Sequence, residues 1–99
     1  VLLISGGDDR LWPAHLLSEK VITRLKEHNH PYTYEHINFP NAGHSFGVPG
    51  FPTSQSVVSP FGNGKLLLGG TPKDNSHAQV EAWENVKEFF YKYLKASSV

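Results

Sequence analysis

Near the middle of the chain, Asn41-Ala42-Gly43-His44-Ser45-Phe46-Gly47 sets two reactive side chains next to each other. Residues 43 to 47 are a formal G-x-S-x-G, the turn on which α/β-hydrolases display a nucleophilic serine. That reading makes Ser45 the nucleophile. Its surroundings argue against it, because such a serine stands between a strand and a helix. Val48-Pro49-Gly50-Phe51-Pro52 follows instead, and two prolines with a glycine do not start a helix. Downstream, only Asp74 and His77 offer an acid followed by a histidine, and helix capping explains them more simply. The competing reading makes His44 a general base at a loop tip, with Gly43 permitting a tight backbone. Such a base needs a carboxylate to orient its ring and stabilise its protonated form. Asp8 and Asp9 are the candidates, although each also suits a turn or a helix cap.

These side chains must be brought together by the elements around them. Val1-Leu2-Leu3-Ile4 is an apolar run ended by Ser5-Gly6-Gly7, the pattern of a strand covered on both faces. Pro13 suits the first turn of a helix, and Ala14, Leu17, Val21 and Leu25 form one stripe at helical spacing up to Lys26. Asn29 and Pro31 stop that helix. Tyr32 to Phe39 is rich in aromatic and β-branched residues and reads as a second strand ending at Pro40. Strand, helix, strand in this order implies a right-handed parallel crossover, hence an α/β fold. In open α/β sheets catalytic residues gather at the carboxyl ends of the strands. Asp8, Asp9 and His44 all follow such ends, so an Asp–His hydrogen bond is expected there.

The remainder reads as a long loop and a last helix. Gly43 to Asn75 is rich in Gly, Pro and Ser, with Leu66-Leu67-Leu68 as an apolar patch docked on the core. Ser76 with Gln79 forms a capping-box pair, so a helix is expected from there to Leu94. Its apolar stripe is Ala82, Val86, Phe89, Phe90 and Tyr93, with Trp83 beside it, all read as core. Residues Ala96 to Val99 should fray.

Ninety-nine residues hold at most one small domain, and 38% hydrophobic with 18% charged residues suits a globular piece. Nine basic residues balance nine acidic ones, which removes the general electrostatic case for nucleic acid or an anionic membrane as partner. No apolar run approaches membrane-spanning length. Without cysteine there is neither a disulfide framework nor a thiolate metal site, and a cytoplasmic home fits most easily. His28, His30 and His36 lie close in sequence but match no recognised zinc spacing, so no metal and no cofactor is expected. The chain opens on Val1, inside an apparent buried strand, and is therefore expected to be a segment of a longer protein.

The segment LLISGGDDRLWPAHLLSEKVITRLKEHNHPYTYEHINFPNAGHSFG resembles the C-terminal end of α/β-hydrolases, from the acid-bearing strand to the catalytic histidine. With the Pro-rich stretch Pro49 to Pro52 and the tail LLLGGTPKDNSHAQVEAWENVKEFFYKYL, the chain is similar to a narrower group. This is the C-terminal domain shared by acyl-CoA thioesterases and bile acid-CoA:amino acid N-acyltransferases. The resemblance implies that the family's acid falls on Asp9, four residues before Pro13 in the G-x-x-D turn begun by Gly6. It places the family's histidine on His44. The nucleophile, serine or cysteine, and the oxyanion-hole amides lie upstream in that family and have no counterpart here. The implied function is acyl-CoA thioester hydrolysis, or acyl transfer to an amino acid, by a longer protein; the 99 residues alone are expected to be inactive. Lys65 and Lys73 could contact an acyl-CoA phosphate, although solvated loop lysines explain them more simply. Phe46, Phe51 and Phe61 in the loop after His44 would border the acyl pocket. The alternatives are another α/β-hydrolase (a carboxylesterase, dienelactone hydrolase-like enzyme or peptidase) and a non-catalytic folding or association module. Expected partners are the acyl-CoA substrate and the missing N-terminal part of the fold, or a second copy paired through exposed sheet edges.

Overall fold

The computed structural model describes residues 1–54, 57–59, 62 and 64–94. Strand β1 (Leu2–Gly6) and strand β2 (Glu35–Phe39) pair in parallel, in register from Leu2↔Glu35 to Gly6↔Phe39. Helix α1 (Ala14–Glu27) makes the crossover between them. The expected α/β arrangement of strand, helix and parallel strand is therefore present. β2 begins at Glu35 rather than Tyr32, because pairing can start only where β1 offers a partner. Ahead of it, the Glu35 amide donates to the Val1 carbonyl and the terminal ammonium to that of Thr33. β1 runs on through Ser5 and Gly6, whose partners are Asn38 and Phe39.

Helix α1 ends as its sequence requires. Asn29 takes a left-handed φ of 50°, the Asn29 amide donates to Lys26 and the His30 amide to Leu25. That pair of bonds is a Schellman closure. The face that α1 turns to the sheet lies one residue round from the expected stripe. Ala14, His15, Ser18, Ile22 and Leu25 are half-buried, whereas Leu16, Leu17 and Val21 are exposed. The reason is the polar sheet face beneath it: His36 of β2 bonds Glu19 and stacks near His15, which sets the helix rotation.

Between the strands and the last helix, two short strands, β3 (Val57–Val58) and β4 (Leu66–Leu67), form an antiparallel ribbon. Leu66 and Leu67 are consequently exposed, and of the expected docked trio only Leu68 is buried. Helix α2 (Pro72–Leu94) starts four residues before the expected cap at Ser76. Thr71 is the cap: its hydroxyl oxygen accepts the Asp74 amide at 3.1 Å and its hydroxyl donates to the Asp74 carboxylate at 2.6 Å. Pro72 then occupies a first-turn position that needs no N–H.

The sheet separates the two helices. Ser5 and His36 point to α1, while Ile4 and Phe39 pack on the core of Ala42, Phe46, Ala78 and Ala82 beneath α2. Asn75, Ala78 and Ala82 are the buried face of α2, with Val86 and Phe89 half-buried beyond them. Trp83, Phe90 and Tyr93, expected in the core, are exposed instead. Two strands are too narrow to cover a 23-residue helix, which is about 34 Å long at 1.5 Å per residue.

Candidate active site

The carboxyl ends of β1 and β2 lie side by side, and the turns leaving them interlock. The Gly7 amide donates to Phe39, and the Asp8 amide to Ala42, at 2.8 and 2.9 Å. The Asp9 amide closes the turn onto the Gly6 carbonyl at 3.2 Å. From the other side, the His44 amide donates to the Leu68 carbonyl at 2.8 Å, so the residue just after β4 holds the histidine's backbone. Gly43 is needed at this crossing, since a Cβ there would collide with the carbonyls of Gly69 and Leu68. Gly69 has a φ of +79°, and a Cβ on it would strike the Asp8 carbonyl.

This framework brings Asp9 to His44. The Nδ1 of His44 and Oδ2 of Asp9 are 2.9 Å apart, and the carboxylate's other oxygen accepts the amides of Leu11 and Trp12 at 2.9 and 3.2 Å. The Asp9 side chain is 4% exposed and that of His44 25% exposed. The two turn amides and the imidazole fix the orientation of this buried carboxylate. The Trp12 ring stands edge-on to His44 at 4.6 Å and limits how the imidazole can turn. Nε2, on the edge of the ring away from Asp9, has no hydrogen-bond partner among the described residues and is open to solvent. It can therefore exchange a proton with a group brought into the cleft.

Asp8, the other aspartate, is turned elsewhere. Its carboxylate accepts the Gly70 amide at 2.9 Å and meets the Arg10 guanidinium at 3.2 Å. It ties the loop before α2 to the end of β1 and does not touch the histidine. Ser45 is exposed, and residues 46–54 directly after it form no helix, so the strand–turn–helix geometry of a nucleophile elbow is absent there.

Two polar residues hold the histidine loop: Asn75, which the sequence did not single out as functional, and Gln79, expected to be a capping partner. Asn75 is buried; its Oδ1 accepts the Gly43 amide at 2.8 Å, and its Nδ2 donates to Thr53 at 3.2 Å. A sequence signal existed, because Asn75 shares the helical spacing of Ala78 and Ala82 and so lies on the buried face. Gln79 does not cap α2. Its amide donates to the carbonyls of Val48 and Phe51 at 2.8 and 3.1 Å, pinning the segment after His44. That segment borders a cleft of about 390 Å³ lined by His44, Ser45, Phe46, Gly47, Val48, Phe51 and Pro52. Phe51 is exposed at its rim, whereas Phe46 is buried against Phe39 with ring centroids 5.6 Å apart. Phe61 lies outside the described residues. Lys65 and Lys73 are exposed. The three sequence-close histidines do not converge. His30 meets the rings of Tyr32 and Tyr34, and His36 meets Ser5 and Glu19.

Together these features define an α/β unit with a carboxylate–histidine pair at the carboxyl ends of two parallel strands. The chain belongs to the BAAT / acyl-CoA thioester hydrolase C-terminal family, whose model matches residues 1–96. It is 34% identical over 93 residues to human acyl-coenzyme A thioesterase 6 and 31% identical over 97 residues to rat acyl-coenzyme A thioesterase 1. It is 30% identical over 94 residues to mouse peroxisomal succinyl-coenzyme A thioesterase. These matches take in 94%, 98% and 95% of this chain but 22%, 23% and 22% of the relatives, so the chain spans less than a quarter of their length. Among the described residues, no helix is long and apolar enough to cross a membrane.

Proposed function

We propose that these residues form the C-terminal part of an α/β-hydrolase catalytic domain acting on acyl-CoA thioesters, with Asp9 and His44 as acid and base of a Ser/Cys-His-Asp triad. The observation that carries this reading is the 2.9 Å contact between a buried Asp9 and His44 Nδ1, with Nε2 left open. Asp9 accepts a hydrogen bond from Nδ1–H, which keeps the lone pair on Nε2. Nε2 then takes the proton of a serine or cysteine supplied by chain outside these 99 residues. That nucleophile attacks the thioester carbonyl, and the C–S bond breaks as the imidazolium returns the proton to the leaving CoA thiolate. Water, activated by the same Nε2, releases the acyl group; in the transferase form of the reaction an amino acid's amine takes it. The cleft beside Val48 and Phe51 would hold the acyl chain. Support for the thioester comes from the names of the three relatives above, each an acyl-coenzyme A thioesterase.

In the full-length protein, His44→Ala should lower acyl-CoA turnover by about 10⁴-fold or more, while Ser45→Ala keeps most of it. A thiol-release assay on both variants reads the difference. If Ser45→Ala is the dead variant, the elbow reading returns. Simple esters assayed beside acyl-CoA show whether the substrate is a thioester or belongs to a carboxylesterase.

A further inference from the structure

On the far side of the sheet from the Asp9–His44 pair's cleft, α1 and β2 bring together His15, Glu19 and His36. One ligand atom from each lies within 4.8 Å of the others. The geometry points to a binding site for a divalent first-row transition ion of the zinc type, held by these two imidazoles and one carboxylate. Three features support it. His15 and Glu19 stand four apart on one helix face, so both reach the same spot on β2. The Nδ1 of His15 is buried and has no hydrogen-bond partner among the described residues, an orphan that a cation would satisfy.

The third feature is the support behind His36, whose side chain is 6% exposed. Its Nε2 lies 2.6 Å from the Ser5 oxygen, and the Ser5 hydroxyl donates to Asn38 at 2.8 Å. With the serine proton committed to Asn38, Nε2 must be the donor in its contact with Ser5. Nδ1 then faces the Glu19 carboxylate at 2.6 Å, and two acceptors cannot meet so closely unaided. The gap is filled by a proton or by a metal ion. Histidine ligands of metals have this arrangement, with the remote nitrogen donating to a fixed acceptor and the near one free to coordinate. Ligands around a tetrahedral ion at about 2.0–2.1 Å stand about 3.4 Å apart, so Glu19 must withdraw by under about 1 Å. It is 53% exposed and free to do so. Three protein ligands leave a fourth position for water. The ion would clamp the crossover helix to β2 and is independent of the catalytic reading.

Full-length protein stripped with chelator and then freed of it is titrated with cobalt(II), alongside Glu19→Gln, His15→Ala and His44→Ala. Wild type and His44→Ala should develop visible d–d bands that saturate at one equivalent and are bleached by zinc. Glu19→Gln, an exposed change whose folding circular dichroism verifies, should weaken binding at least tenfold, and His15→Ala likewise. Equal titrations for wild type and Glu19→Gln would overturn the site, because other ligands would then hold the metal. No saturable binding by wild type would overturn it as well, leaving only a shared proton between His36 and Glu19.

Discussion

Asp9 and Asp8 are neighbours of the same chemical type, yet their surroundings divide them completely. Asp9 spends one oxygen on the turn amides of Leu11 and Trp12 and the other on His44, so its geometry cannot drift without breaking the turn. Asp9→Asn keeps the shape but can turn an N–H toward Nδ1, which favours the unproductive tautomer. On the proposed mechanism this should cut kcat of the full-length protein by about 10⁴-fold with little change in KM. Asp8→Asn retains an oxygen for the Gly70 amide and should stay within about tenfold of wild type. Steady-state kinetics on the pair of variants reads the distinction. Sequence alone left the two aspartates equivalent until family resemblance was added. What separates them in space is the single-residue alternation of the turn after β1, which sends Asp8 to the Gly70 amide and Asp9 to His44.

At the scale of elements, the site rests on the crossing of three backbone segments: the end of β1, the turn after β2 and the stretch before α2. Asn75 locks that crossing from the buried face of α2. Asn75→Ala would leave the Gly43 amide buried without a partner, at a cost of about 1–3 kcal/mol. Denaturant melts should show that loss, with the catalytic rate falling too because His44 adjoins the released loop. Gly43→Ala should be the more damaging change, since the added Cβ meets backbone carbonyls that cannot move aside. Both strands and α1 were legible in the sequence, because apolar runs, helical periodicity and the Asn29 stop are local signals. The start of α2 was misplaced. Thr71-Pro72-Lys73-Asp74 carries its own cap, but it lies in a Gly- and Pro-rich stretch where Ser76 and Gln79 offered a competing box. Gln79 was diverted by a contact 31 residues away, at Val48.

As a whole, the molecule is looser than its length requires. Its radius of gyration is 15.4 Å, against about 13 Å for a compact domain of 100 residues. Leu16, Leu17 and Val21 on α1 and Trp83, Phe90 and Leu94 on α2 lie exposed, and among the described residues the β1–β2 sheet has two strands. Such faces suit burial against further chain of the same fold, as expected of a unit spanning less than a quarter of its relatives' length. The 99 residues alone should therefore self-associate in sedimentation velocity and bind a hydrophobic dye. A monomer with a sharp, cooperative melt would contradict this. Sequence by itself determined the strand–helix–strand order, the α/β class and the pairing of an acid turn with a Gly-His turn, all consequences of local pattern and chain connectivity. Tertiary structure alone decided how α1 is rotated, which face of α2 is buried and that His15, Glu19 and His36 converge. Each of these depends on contacts between residues far apart in sequence, where strand register and helix rotation, not local propensity, choose the partner.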